Sequence, residues 1–221
     1  MNKRVIFLLM VLMLVTLVSL VSGCGDIESV VGPPGPAGPQ GPAATDAPLS
    51  DIQQLVAEQN AYRSQVGQEP LVPGLDCTLY TVPQTTTAII GATLTNVGSF
   101  GFTGVFNQLN GPVTAGLNIL PLGLKAVYQS WYVVKCTGQY VSSDSNWHSF
   151  QLSSDDGSNL YFNGGIVINN DGLHGVQTVS GTKFIEYGFY TFELDFFQAS
   201  GNEALVLNMD GALLDNTHYY H

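Results

Sequence analysis

The chain has 221 residues, with seventeen Asp and Glu against six Lys and Arg, for a net charge of −11. That balance argues against a nucleic-acid partner and against electrostatic adhesion to anionic lipid. The length suits one sizeable core and is too short for two comfortable ones.

Residues 1–23 read as a targeting segment. Lys3 and Arg4 give a basic start, and Val5 to Val21 is an apolar run interrupted only by Thr16 and Ser19. Val21-Ser22-Gly23-Cys24 places small residues before a cysteine. This resembles a bacterial lipoprotein signal peptide, with Val21 where the lipobox usually has Leu and Cys24 as the lipidated residue. An uncleaved membrane anchor is the alternative; both export the remainder and tether it. Gly25 after the cysteine, where Asp would signal inner-membrane retention, favours the outer membrane and the cell surface in a Gram-negative envelope. Removal of the signal leaves four basic side chains against all seventeen acidic ones, a net charge of −13.

Residues 24–49 hold four Gly-X-Y triplets, beginning at Gly32, Gly35, Gly38 and Gly41, each with proline at X. Glycine at every third place is what a collagen triple helix requires, because only glycine fits on its axis. A polyproline II spacer of about 37 Å, at ~3.1 Å per residue, is the simpler expectation, with a homotrimeric stalk as the alternative. Export also settles the cysteines. With Cys24 assigned to lipid, Cys77 and Cys136 remain, and an even pair in an oxidising compartment reads as one disulfide, two free thiols being the alternative.

Residues 50–67 read as the one helix. Ser50-Asp51-Ile52-Gln53 is a capping-box pattern, Ile52, Leu55, Val56, Gln59, Tyr62 and Val66 fall on one stripe, and Gly67 supplies a stop. A connector follows over 68–84, with an extended run from Leu75 to Val82 that carries Cys77. From 85 to 221 the pattern is all-β. Strands are expected from Ile89 to Leu94, at Phe100–Phe102, at Val105–Phe106, over Val113–Leu120 and over Ala126–Val134. Gly, Asn and Pro punctuate them at the spacing of a sandwich or barrel.

Around Asp155 and Asp156 the chain alternates polar and apolar residues on both sides, Phe150 and Leu152 before, Leu160 and Phe162 after. Two adjacent carboxylates in a short connection repel unless a cation relieves them, and a hard ion such as Ca²⁺ would do so. The plain alternative is a solvated Asp-Gly hairpin turn.

Four blocks extend this pattern. They are Phe150-x-Leu-Ser-Ser-Asp-Asp-Gly-Ser-x-Leu-Tyr-x-x-Gly164, then Val167-Ile-Asn-Asn-Asp-Gly-x-His174-Gly175, then Tyr187-Gly188. The last is Tyr190-x-Phe-x-Leu-x-Phe-Phe-Gln198-x-x-Gly201-x-x-Ala204-Leu205. In this order they resemble a PA14 domain, with the resemblance covering residues 85–210. It implies a β-sandwich or barrel with a loop-built pocket at one end. In the sugar-binding branch of that family, two consecutive aspartates joined by a cis peptide hold Ca²⁺, which coordinates sugar hydroxyls. Asp155 and Asp156 match that pair. The branch adds an amide oxygen and two backbone carbonyls, which fall on Gln198, Ser200 and Asn202; Gln198 stands where flocculins have Asn.

Asn169-Asn170-Asp171-Gly172 lacks the spacing of an EF-hand loop and reads as a turn. His174 reads as a structural histidine, and His148, His218 and His221 have no partner pattern. Trp131, Trp147 and Tyr161 are candidates to stack on a sugar, or core aromatics. Motifs for a metalloprotease, a serine hydrolase, a phosphate loop or a cysteine nucleophile are absent from the sequence. The expectation is a non-enzymatic, lipid-anchored surface protein that binds carbohydrate through Ca²⁺ in adhesion or recognition. The competing one is a structural module that self-associates without sugar.

Overall fold

The computed structural model describes residues 50–112 and 120–221. The lipoprotein signal, Cys24, the Gly-X-Y segment and most of the expected 113–120 strand lie outside the described residues. Helix α1 (Asp51–Gln65) starts as its capping box dictates: Ser50 Oγ accepts from Gln53 N at 3.3 Å, and Gln53 Oε1 accepts from Ser50 N at 3.0 Å. Leu55 and Val56 are buried against Leu71, Val141 and Tyr220. The apolar stripe stops there, since Tyr62 and Val66 are exposed. Asn60 does the work at that end, donating to Leu71 O at 3.0 Å and accepting from Leu71 N at 2.6 Å. Among the described residues no helix is long and apolar enough to cross a membrane.

Among the described residues twelve strands follow: β1 Leu75–Thr81, β2 Thr95–Phe102, β3 Asn107–Pro112, β4 Tyr132–Ser142, β5 Asn146–Asp155, β6 Ser158–Phe162, β7 Gly165–Asn170, β8 Gln177–Ile185, β9 Gly188–Gln198, β10 Asn202–Met209, β11 Ala212–Leu213 and β12 Tyr219–Tyr220. They form two antiparallel sheets. One runs β2-β1-β4-β9-β6-β7 with β12 on β4; the other runs β11-β10-β5-β8 with β3 on β10. Leu75, Leu79, Val134, Phe192, Leu194 and Leu160 from the first meet Phe150, Leu152, Leu205 and Leu207 from the second in one core. Cys77 and Cys136 are register partners on β1 and β4 and form a disulfide, both buried.

Gly138 lies on β4 between the stretch paired with β1 and the stretch paired with β12. A Cβ there would stand 2.7 Å from both Leu75 Cδ2 and Tyr220 O, so only glycine fits.

The structure corrects several local expectations. Residues 89–94 are loop and β2 begins at Thr95; Val105 and Phe106 precede β3. The expected 126–134 strand starts only at Tyr132, after a four-residue helix α2 (Leu122–Lys125) and a turn ending at Trp131, whose φ is +57°. A Trp at positive φ cannot continue a strand. Most important for function, β5 and β6 are not a hairpin. They belong to different sheets, so the Asp155–Gly157 connection carries the chain across the end of the sandwich.

Candidate functional site

Inward-facing positions are apolar along most of each strand and turn polar at one end. Tyr132 on β4, Ser154 on β5, Ser158 on β6, Asn170 on β7, Gln198 on β9 and Glu203 on β10 lie there, in or beside the Asp155–Gly157 connection. Ser154, Ser158 and Asn170 are linked: Ser154 Oγ and Ser158 Oγ are 2.7 Å apart, and Asn170 Nδ2 donates to Ser154 Oγ at 2.8 Å, while Asn170 Oδ1 has no hydrogen-bond partner. Gln198 pairs in register with Tyr132, and Ala204 with Asp155. The core thus ends in a polar layer beneath the two aspartates.

The Asp155-Asp156 peptide bond is cis. Both side chains are buried, 8% and 6% exposed. Their roles differ. Asp156 Oδ2 accepts from Ala199 N at 2.8 Å and Oδ1 from His174 N at 3.2 Å, so this carboxylate ties two loops to the connection. Among the described residues no donor reaches the Asp155 carboxylate. Burial, then the charge of Asp156, raise its proton affinity, and His174 opposes them. Gly157 lies against the 171–174 loop; a Cβ there would stand 2.8 Å from Gly172 N and 2.9 Å from Gly172 O. Gly157→Ala is therefore expected to lower stability by about 1–3 kcal/mol, read as a shift in a urea midpoint with unchanged slope.

Gln198 is fully buried. Its Nε2 donates to Asn202 O at 2.9 Å, and its Oε1 has no hydrogen-bond partner. Ser200 and Asn202 flank Gly201 (φ +92°), Asn202 being the first residue of β10. Asn202 O, holding the amide, keeps a second lone pair. The fold therefore gathers Asp155, Asp156, Gln198 and Asn202 at one end. Among the described residues no group of three His, Cys, Asp or Glu side chains is disposed to hold a metal, so any ion here relies on amide and backbone oxygens as well. An orphaned buried amide oxygen beside two buried carboxylates is a donor set of hard oxygens, the kind that fits Ca²⁺.

Two groups escaped the sequence. Asp171 Oδ1 accepts from Ile89 N at 2.7 Å and Gly172 N at 2.9 Å, and Oδ2 accepts from Ile90 N at 2.9 Å. It clasps the 83–94 loop, whose Ile89 packs with Val133, Phe197 and Ala199. The same loop lines an open pocket of about 270 Å³, with Thr85, Thr86 and Thr87 on its wall. Asp171→Ala is expected to loosen residues 87–93, seen as lost amide-exchange protection there while the core strands keep theirs. The second group is Glu203, which accepts from Tyr132 Oη at 2.8 Å through Oε2 while Oε1 has no partner.

Burial pushes the Glu203 carboxyl up to about 7, with Asp155 adding and Tyr132 and Lys125 opposing. Burial likewise raises Asp195 to about 7 despite its 2.6 Å pair with Lys135 on the outer face of the larger sheet. Unfolded, these groups titrate near 4.5 and 3.8. Between those values and about 7 the folded state holds more protons than the unfolded one. Stability in chelator is thus expected to be full below about pH 4 as regards these groups and to fall as pH rises to about 7. Thermal melts at pH 5 and 7.5 check this, and Glu203→Gln flattens the slope.

His174 holds its loop, with Nε2 2.9 Å from Asn170 O and Nδ1 2.9 Å from Gly175 O. His148 is at the far end of β5, between Asp210 at 2.7 Å and Asp144 at 3.1 Å. Trp147 is exposed there against Phe184. Tyr161 lines a cavity on the outer face of the larger sheet with Gln139 and Glu193. Of the three aromatic candidates, Trp131 is tied to the residue that Asp156 holds: its backbone N–H donates to Ala199 O at 3.1 Å.

Residues 123–216 match the family model described as the PA14 domain. No curated protein matches the chain. Among solved structures, the PA14 domain of the MpAFP antifreeze protein matches with a TM-score of 0.53 at 16% identity, over 68% of this chain and 91% of that one. A structure described as the PA14 sugar-binding domain from an RTX adhesin matches at 0.52 and 18%, over 68% and 99%. An anti-sigma factor domain-containing protein from Clostridium clariflavum matches at 0.50 and 16%, over 68% and 47%. Fold and family model agree: residues 123–216 match the PA14 domain model, and the fold is that of solved PA14 domains.

Proposed function

We propose that this domain binds carbohydrate through a Ca²⁺ ion held by Asp155 and Asp156, on a protein displayed at the bacterial cell surface by a lipid on Cys24. The observation that carries the reading is the Gln198 Oε1 atom, buried and without a partner beside two buried carboxylates. A polar atom in that state costs about 1–3 kcal/mol unless something occupies it, and a cation is what its neighbours select. Asp155, free of hydrogen bonds from the described residues, supplies charge. Asp156 supplies charge and fixes the loops. Gln198, Ser200 and Asn202 supply neutral oxygens. A bound ion would offer open coordination positions to vicinal sugar hydroxyls. The adhesin domain of like fold is itself described as sugar-binding.

The role would be adhesion or recognition without turnover. Calorimetry with CaCl₂, followed by a glycan array with and without chelator, tests it. Micromolar to millimolar Ca²⁺ binding with chelator-sensitive glycan capture is the expected result. Absence of Ca²⁺ binding would sink the reading. The Gly-X-Y triplets at 32–43 favour the second reading, a self-associating module. In that case a trimer persists in chelator and no glycan is retained.

A further inference from the structure

We propose that the outer face of the smaller sheet, along β5 from Asp155 to Trp147, is a platform for a neutral, extended glycan chain. The inference rests on the carbohydrate-binding reading above and deepens it: the ligand is a chain of several sugar units, not a single terminal sugar.

Alternation builds the face. Phe150, Leu152 and Ile185 point into the core, so the residues between them point out. On β5 the outward positions are Trp147, Ser149, Gln151 and Ser153, and the next position in that file is Asp155. On β8 they are Thr178, Ser180, Thr182 and Phe184, each the register partner of one on β5. From β10, Val206 lies beside Ser153 and Asn208 beside Gln151. Between Trp147 and Asp155 these positions hold no Asp, Glu, Lys or Arg, on a chain whose net charge is −11. Lys183 pairs with buried His148 on the opposite side of the sheet. Asp210, at the border, is taken up by Ser149 N at 2.8 Å and His148 Nδ1 at 2.7 Å.

Two features select the occupant. Trp147 is 66% exposed and Phe184 42%, packed edge to face with ring centroids 5.7 Å apart. Two large rings side by side in water are an unsatisfied apolar surface, and the C–H face of a pyranose is a partner that stacks on such rings. Beyond them the face turns polar. Gln151 and Asn208 are adjacent side-chain amides, and neither they nor the Ser180 and Thr182 hydroxyls make a side-chain hydrogen bond among the described residues. Each amide offers a donor and an acceptor side by side, which matches two neighbouring sugar hydroxyls. A stable protein interface is apolar at its centre, whereas here the centre is hydroxyl and amide and the rings stand at one end. An acidic polysaccharide or anionic lipid is repelled by the negative chain. A neutral, polyhydroxylated chain fits. The file from Trp147 to Asp155 is about 27 Å long, at ~3.4 Å per residue, so one glycan chain reaches from the ring pair to the carboxylates.

The test is capture of the full chain on an array of neutral and acidic glycans, monosaccharide to hexasaccharide, in CaCl₂ and in chelator. Fluorescence titration with the best-bound hexasaccharide and its monosaccharide follows. Neutral chains should be retained, with affinity rising with length, and the hexasaccharide alone should shift tryptophan emission to the blue. Trp147→Ala should weaken hexasaccharide binding at least tenfold and leave the monosaccharide within twofold of native. Trp147→Phe, which keeps a ring, should restore most of the loss. Gln151→Ala, at an exposed mid-face position, should bind the hexasaccharide several-fold more weakly and serves if Trp147→Ala does not fold. If both alanine variants hold the hexasaccharide within twofold of native while chelator abolishes capture, the platform is overturned and the cation reading stands. Length-dependent capture that Trp147→Ala loses but chelator does not touch keeps the platform and overturns the cation reading. A preference for acidic glycans overturns the platform. A native protein that retains no glycan in either condition overturns both.

Discussion

Asp156→Ala will lower the stability of the domain by about 2–4 kcal/mol in chelator, whereas Asp155→Ala will leave it within about 1 kcal/mol of native or raise it. The two carboxylates are neighbours of equal charge and similar burial, so composition offers no reason for a difference. Their hydrogen bonds do. Asp156 accepts from Ala199 N and His174 N, and truncating it strands both donors, the first fully buried. Asp155 accepts from none of the described residues and repels Asp156, so its removal relieves a repulsion and strands nothing. In Ca²⁺ the pair converges, because each variant lacks a ligand charge and neither should show a calcium-induced rise in melting temperature. Urea titrations of both variants in chelator and in CaCl₂ measure all four quantities. Equal losses for the two variants in chelator would show that the hydrogen-bond asymmetry has no energetic weight. A calcium response retained by Asp155→Ala would remove that residue from the donor set.

The same distinction explains what the sequence could and could not reveal. The Asp-Asp pair, the capping box at Ser50 and the Cys77–Cys136 pair are local or arithmetic signals, and each is found where the pattern put it. Ile89 and Ile90 look like a strand because they are apolar and β-branched. Their backbone N–H groups go instead to the Asp171 carboxylate, some eighty residues downstream, and their loop becomes a cover over Phe197 and Ala199. No local period encodes that. Alternation on both sides of Asp155 correctly gives two strands, but alternation cannot say which sheet a strand joins, and the plain hairpin alternative failed on this point. Glu203 was hidden for a related reason. As the polar residue opening Glu-Ala-Leu-Val-Leu it resembles an ordinary strand entrance. Only its place on the face of Leu205 and Leu207 and the bond to Tyr132 show it facing inward.

Replacing both Cys77 and Cys136 with alanine will cost about 4 kcal/mol, the loop-closure entropy for residues 59 apart. That is roughly 8–16 °C in melting temperature for a domain of this size. The bond joins β1 to β4 at a register pair, so it adds no new contact in the folded state and acts by restricting the unfolded chain. Both sulfurs are buried beneath the sheet, hence reductant should act only after opening, and the native protein should resist mild dithiothreitol at room temperature. Location gives the bond a second consequence. β1 is the first strand after α1, and under the surface-anchored reading any pull between membrane and bound glycan enters the sheet through it. β4 is the strand to which β1, β9 and β12 all pair. A covalent link at Cys77–Cys136 stops β1 from peeling away from β4 under such a load. Melting of native and double-alanine proteins measures the thermodynamic part, with a loss under 1 kcal/mol counting against it. Single-molecule pulling from the N-terminus measures the mechanical part. There the reduced protein should release β1 in a separate early step that the oxidised protein lacks.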